Sequence, residues 1–304
     1  MAYVERSISG HRIVVTGATN GIGTEIARAL VRRGAHLSIL ARNESKARRV
    51  VSELTNEPGV TAEPDVFVAD LADLGSVRTA AEEMLRRYDR IDVLANNAGL
   101  QQFTGRRTVE GYDEMTTANY LGPFLLTNLL LLPISAARHG RIVNTASEAH
   151  RASGSVDIRR LGVHRSFGSV GSGRIYAQSK LFNILFTQEL ARRLQAAQPS
   201  RRSATVNCFC PGMVATGLVR DSTAMSRTLS SLARTPLVRR PEQGARMGVR
   251  LVLDTGLADT TGEFFTSTPV LRFLPLTHAR RNQELQRELW VRTIDLVGLA
   301  CTTS

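Results

Sequence analysis

Short, predominantly apolar runs recur along the chain, separated by longer amphipathic stretches. Ile13–Val15, Leu37–Leu40, Val66–Val68, Val93–Leu94, Ile142–Val143 and Val206–Phe209 are the runs. Their brevity and near-continuous apolarity predict strands buried on both faces rather than strands with one wet side. Between them, Gly23–Arg33, Glu44–Leu54, Gly75–Tyr88, Asp113–Leu132 and Tyr176–Gln195 carry apolar residues at helical spacing. Gly34 follows the first of these, where a helix C-terminus favours glycine. A late run, Gly262–Phe265, predicts one more strand, and Gln283–Leu296 a final helix. Regular alternation of this kind implies an α/β protein with a parallel, doubly wound sheet.

Two segments interrupt the rhythm. Arg151–Arg174 is rich in Gly, Ser and Arg, with Asp157 its only acid, and Gly217–Pro241 is rich in Thr, Ser and Arg. Each follows a predicted strand. Ligands in such sheets lie beyond the carboxyl ends of the strands, so both segments are candidates to border a site. With no repeat, low-complexity tract or long polar linker, residues 1–304 read as one unit.

Composition narrows the function classes. The net charge is +12, which raises nucleic acid as a partner. The charge is scattered, however, and of 39 basic residues only Lys46 and Lys180 are lysine. That fits a codon bias as well as a binding patch, and no aromatic–arginine stripe accompanies it, so nucleic acid is excluded. Cys208, Cys210 and Cys301 lack the spacing of a metal site; Cys208 and Cys210 read as buried thiols on one face of a strand. The start, MAYVERSISGHR, has no apolar core of a signal peptide. Phe124–Ala137 contains Asn128 and Pro133 and is too short for a membrane anchor. A cytoplasmic, reducing setting is the expectation.

The chemistry concentrates in a few places. The first strand ends in TGATNGIG, Thr16–Gly23, with glycines at Gly17, Gly21 and Gly23. A strand feeding a glycine turn into a helix N-terminus cradles phosphate, because small residues admit the anion and free N–H groups point at it. Tyr176 and Lys180 stand four apart in a predicted helix and share a face. A carbonyl that accepts hydride develops negative charge on oxygen and needs a proton there. A free phenol, at ~10, is a poor shuttle near neutrality, and a nearby cation favours its phenolate. Lys180 is therefore expected to lower Tyr176.

These glycines, with Asp70-Leu71 after the third strand, Asn96-Asn97-Ala98-Gly99 after the fourth, YAQSK at Tyr176–Lys180 and PGMVAT at Pro211–Thr216, resemble the short-chain dehydrogenase/reductase family. Within it the runs Arg141–His150, Ser179–Leu194 and Leu289–Leu299 look like the retinol dehydrogenase and WW-domain oxidoreductase branch. Many of those relatives begin with a membrane anchor, which this sequence does not show. The resemblance implies a Rossmann-type sheet of about seven strands in the order 3-2-1-4-5-6-7, with helices on both faces. It implies that Ser147 assists Tyr176, with Thr145 and Ser153 as rivals, and that Lys180 also binds the nicotinamide ribose. The 29-residue gap from Ser147 to Tyr176 makes Arg151–Arg174 look like an insertion. Asn119, in TTANYLGPF, matches an asparagine that opens its helix and feeds protons to the lysine through a water.

By the same resemblance, the cofactor lies against Gly17, Thr19, Asn20, Gly21, Ile22 and Gly23. Asp70 and Leu71, then Asn97, Ala98 and Gly99, continue the seat, and Pro211, Gly212, Val214 and Thr216 close it. The second strand ends LSILARN, with Ala41 where an acid would bind the adenosine ribose hydroxyls, and Arg42 next. The missing acid and an arginine able to hold a 2′-phosphate favour NADP(H), with NAD(H) the alternative. Val156, Leu161, Val163, Phe167, Leu218, Met225 and Leu229 suggest an apolar pocket for a lipophilic carbonyl or alcohol. Arg151, Arg159, Arg160, Arg165 and Arg174 are the counter-argument, as receivers of an anionic substrate. A tailoring ketoreductase of a natural-product pathway and a non-catalytic NADP(H)-binding regulator are the other readings. Leu121, Phe124, Leu125, Phe182 and Phe186, on helices that relatives pair across a two-fold axis, suggest the seam of a homodimer or homotetramer, although an intramolecular core explains them nearly as well.

Overall fold

In the computed structural model, residues 3–197, 204–214, 219–220, 238–268 and 277–300 are described. Seven strands form one parallel sheet: β1 (Arg12–Thr16), β2 (His36–Ala41), β3 (Asp65–Val68), β4 (Val93–Asn96), β5 (Arg141–Thr145), β6 (Thr205–Cys210) and β7 (Phe264–Thr266). Their spatial order is 3-2-1-4-5-6-7, as expected. Register runs Val14 beside Ser38 on one side and Leu94 on the other. Successive side chains face opposite ways, which is why the strands are apolar throughout. Val14, Leu40, Leu94, Ile142 and Val206 enter the core on one face, and Ile13, Ile39, Val93, Val143 and Phe209 the core on the other.

Helices cover both faces: α1 (Gly21–Val31), α2 (Glu44–Thr55), α3 (Leu74–Arg87), α4, α5 (Leu131–Ala136), α6 (Ser169–Ala197), α7 (Pro241–Leu253), α8 (His278–Arg281) and α9 (Gln283–Leu296). α4 is composite. It is α-helical over Glu114–Thr116, widens to a π-turn over Thr117–Leu121 and is α-helical again over Gly122–Leu129. α6 begins two turns before Tyr176, the expected start, so the Gly/Ser-rich end of the Arg151–Arg174 segment is helix.

α7 is unanticipated. Gly244 and Gly248 lower its helix propensity, yet both are packing sites. A Cβ on Gly248 would lie 2.9 Å from the Phe209 ring and 3.0 Å from Ile26. α9 corrects the expected seam. Leu121, Phe124, Leu125, Phe182 and Phe186 are all buried within the one chain. Trp290 of α9 meets Phe124 edge-on at 4.9 Å and stacks on Phe186 at 6.0 Å. These apolar residues are intramolecular core. Most of Gly217–Pro241, including Leu218, Met225 and Leu229, lies outside the described residues, as do Thr216 and Cys301.

Candidate active site

The turn from β1 to α1 is built for close approach. Gly17 and Gly21 have φ of 68° and 56°, which favour glycine. A Cβ on Gly17 would lie 2.7 Å from Ala98 Cα, and one on Gly23 2.3 Å from the Gly17 oxygen and 2.4 Å from Asn97 Nδ2. The Thr16 hydroxyl accepts from the backbone N–H of both Asn97 and Ala98, at 3.1 and 3.0 Å, and ties the ends of β1 and β4 together. Asn20 begins α1 without a capping side-chain bond, and no acid stands in the first turn. The N–H groups near Gly21, Ile22 and Gly23 thus face an anion seat, with Thr19 and Asn20 at its lip. The residues fit a dinucleotide: only a glycine turn leaves its phosphates this room.

At the end of β2, Ala41 is buried and Arg42 exposed. Among the described residues Arg42 makes no ion pair or hydrogen bond, so its guanidinium is uncommitted. Asp70 is committed to its own turn: its side chain accepts from Ala72 N at 2.9 Å. Leu71 is buried, and its carbonyl would lie 2.2 Å from a Cβ on Gly122. Past β6, Pro211 is buried and Gly212 has φ of 86°. Val214 packs at the N-terminal end of α7, where a Cβ on Gly244 would lie 2.7 Å from it.

Ser147, Tyr176, Lys180 and Asn119 converge at the carboxyl ends of β4 and β5. The Ser147 hydroxyl accepts from Ala149 N at 3.1 Å and stands beside the Tyr176 phenol, where it favours the phenolate. Of its rivals, Ser153 donates to the Gly154 carbonyl at 3.3 Å, and the buried Thr145 hydroxyl has no partner. Lys180 is buried and donates to the Thr145 carbonyl at 3.0 Å, its Nζ 5.6 Å from the Tyr176 ring centre. The Asn119 amide pairs with Leu100, accepting its N–H at 2.7 Å and donating to its carbonyl at 2.9 Å. Gly99 sits over both, since a Cβ there would lie 3.2 Å from Lys180 Nζ and 3.3 Å from Asn119 Oδ1.

Electrostatics differ from the expectation that Lys180 lowers Tyr176. Burial is the largest influence on each, and it pushes the phenol up and the ammonium down, Lys180 to about 8. Desolvation disfavours both charged forms, and the Lys180 ammonium is turned to a carbonyl rather than to the phenol oxygen. Cys210 is the residue the sequence pattern undervalued. Its sulfur accepts from Glu148 N at 3.3 Å and Gly212 N at 3.4 Å, and Ser147 lies beside it. The signal was its place, directly before Pro211-Gly212 at the ligand end of a strand.

The surroundings of Tyr176 are apolar. Leu100, Met115, Ala118, Phe167 and Ile175 cluster with it. Ile158 and Leu161, in contrast, pack into the main core, and Val163 is exposed. The arginines of this segment turn elsewhere. Arg151 pairs with Glu148 at 2.7 Å and Arg159 with Asp157 at 3.4 Å, while Arg174 reaches the Ser155 carbonyl at 3.4 Å. Arg160 and Arg165 are exposed.

A family model described as short chain dehydrogenase matches residues 11–157. Human retinol dehydrogenase 13 is 35% identical over 298 residues, covering 96% of this chain and 86% of that protein. Human polyprenol dehydrogenase is 32% identical over 294 residues, covering 95% and 86%. A crystal structure from Mycobacterium paratuberculosis matches with a TM-score of 0.74 at 26% identity, covering 97% of this chain and 96% of that one. A Shigella flexneri short chain dehydrogenase complexed with NADP matches at 0.66 and 26%, covering 86% and 99%.

Proposed function

The chain belongs to the short-chain dehydrogenase/reductase family, in its retinol dehydrogenase-like branch, and from that premise we propose that this oxidoreductase catalyses reversible, NADP(H)-dependent hydride transfer to a lipophilic carbonyl or from the matching alcohol. The dinucleotide, when bound, supplies or accepts the hydride. The chain does the rest. The glycine turn at Gly17–Gly23 and the Asn97-Ala98-Gly99 segment hold it, and Arg42 reads its 2′-phosphate. Tyr176 gives its phenolic proton to the carbonyl oxygen as charge develops there, and Ser147 donates a hydrogen bond to the same oxygen. The Lys180 ammonium stabilises the phenolate that is left. Asn119 fixes the Leu100 backbone under this arrangement.

The observation that carries the lipophilic class is the apolar cluster in which Tyr176 sits, against arginines that are paired or turned outward. Two relatives named for retinol and polyprenol support the same class. A reducing, cytoplasmic setting is part of the proposal and is supported by the free thiols Cys208 and Cys210. Among the described residues no helix is long and apolar enough to cross a membrane.

The test is a matched panel of long-chain aldehydes, polycyclic ketones, hydroxy acids and sugars, run with NADPH and with NADH and followed by cofactor absorbance. Lipophilic carbonyls with NADPH are expected to lead in kcat/KM. Arg42→Ala should then lose NADPH preference by roughly ten- to a hundredfold, the loss of one charge-assisted contact. Charged small carbonyls leading the panel would overturn the substrate class. Equal losses with both cofactors would overturn the role of Arg42.

A further inference from the structure

The widened turn of α4 has a cause in the sequence. In a regular helix the Asn119 carbonyl would accept from the N–H four residues on. That residue is Pro123, which has none. The turn opens to π over Thr117–Leu121, and a carbonyl in a fully buried stretch needs another donor. Asn183 provides one. It lies on α6, one turn after Lys180, and is 5% exposed. Its Nδ2 donates to the Asn119 carbonyl at 3.0 Å and lies 3.4 Å from the Thr145 carbonyl. The Thr145 oxygen is the one that takes the Lys180 ammonium at 3.0 Å.

One amide therefore stands between two carbonyls and competes with Lys180 for the second. We propose that Asn183 is a positioning residue: by holding the Asn119 and Thr145 carbonyls it sets where the Lys180 ammonium rests, and through Lys180 it sets the proton delivery of Tyr176. The inference rests on the hydride-transfer reading for its kinetic consequence, but not for its geometry. Without the amide, both oxygens are left to the ammonium. It is drawn toward α4 and β5 and held there more firmly as a cation. The titratable groups facing Lys180 are the half-buried Tyr176 and the buried Cys210, both raised by desolvation and so uncharged near neutrality, and neither offsets the change.

Lys46 and Lys180 are the only lysines, so a protein labelled with 13Cε-lysine gives two side-chain signals. Titrating that protein, wild type against Asn183→Leu, reads Lys180 without a substrate. The Lys180 midpoint, about 8 in the wild type, is expected to rise by roughly half a unit or more. In turnover, kcat should fall roughly tenfold, the size of one buried hydrogen bond, with cofactor affinity nearly unchanged. Asn183→Ser, which leaves room for a water to bridge the same oxygens, covers the case in which the leucine variant does not fold, and should shift both readouts less. An unmoved Lys180 midpoint in whichever variant folds overturns the inference. So does a loss of kcat matched by an equal loss of cofactor affinity. If Tyr176→Phe, measured alongside, keeps full turnover, the hydride-transfer reading fails by itself, and the titration still decides Asn183.

Discussion

Trp290→Ala tests the covering role of α9. The indole is 9% exposed, meets the rings of Phe124 and Phe186, and carries the Arg193 guanidinium 4.5 Å above it. Truncating a buried aromatic to alanine costs about 3–5 kcal/mol, of which each ring pair accounts for about 0.5–1.5. Domains of this general size hold together by about 5–15 kcal/mol in total, so the loss is a large share. At about 2–4 °C per kcal/mol the melting temperature should drop by roughly 6–20 °C. The variant also uncovers Phe124 and Phe186, which then present fresh apolar surface. Thermal unfolding by circular dichroism, with light scattering at micromolar protein, reads both effects. A lowered melting temperature with a larger mass than wild type is expected. A shift under about 2 °C with an unchanged mass would refute the assignment of this seam to intramolecular core.

Tyr176→Phe removes the proton donor and leaves the ring, so kcat should fall by ~10²–10⁴ with cofactor affinity intact, as read by stopped-flow absorbance and fluorescence titration; near-normal turnover would remove Tyr176 from the chemistry. Because burial sets Lys180 to about 8, its ammonium is present below that pH and lost above it, and carbonyl reduction should decline along an alkaline limb near pH 8. Lys180→Arg stays charged, so its slower reaction should lack that limb in the same pH–rate profile. Gly23→Ala forces a Cβ against the Gly17 oxygen and Asn97, and should cost about 1–3 kcal/mol in unfolding experiments along with cofactor affinity. Gly173→Ala, on α6 with nothing within 4 Å of its Cβ, is the control and should be neutral or stabilising.

Much of the fold was legible because its signals are local. Strands buried on both faces must be apolar at every position, and glycines at positive φ or under a carbonyl tolerate nothing larger. The glycine turn, the Tyr176–Lys180 pair and the strand order could be reached from those signals and the family likeness. What stayed hidden depends on contacts far apart in sequence. Gly244 looks like a helix breaker until Val214 and Ile22 are placed against it, and Gly248 until Phe209 and Ile26 are. Phe124 and Phe186 look like a free apolar face until Trp290, more than a hundred residues on, covers them. Leu161 looks like a pocket wall until α9 packs on it. The direction of the Tyr176 shift was missed for the same reason. Spacing shows that a lysine is near, whereas burial, the largest influence on the phenol, is a property of the assembled site.

The loop after β4 carries one more feature, a two-residue parallel ribbon in which Gln101 and Gln102 pair with Val219 and Arg220. The Ser172 hydroxyl donates to the Gln102 carbonyl at 2.7 Å and anchors the ribbon to α6. Gln101 is two residues from Gly99, which sits over Lys180. Any displacement of Val219–Arg220 must therefore break the ribbon or drag the Gly99 backbone with it. The Ser172 anchor stands one turn before Tyr176, so the same strain would reach the helix that carries Tyr176 and Lys180.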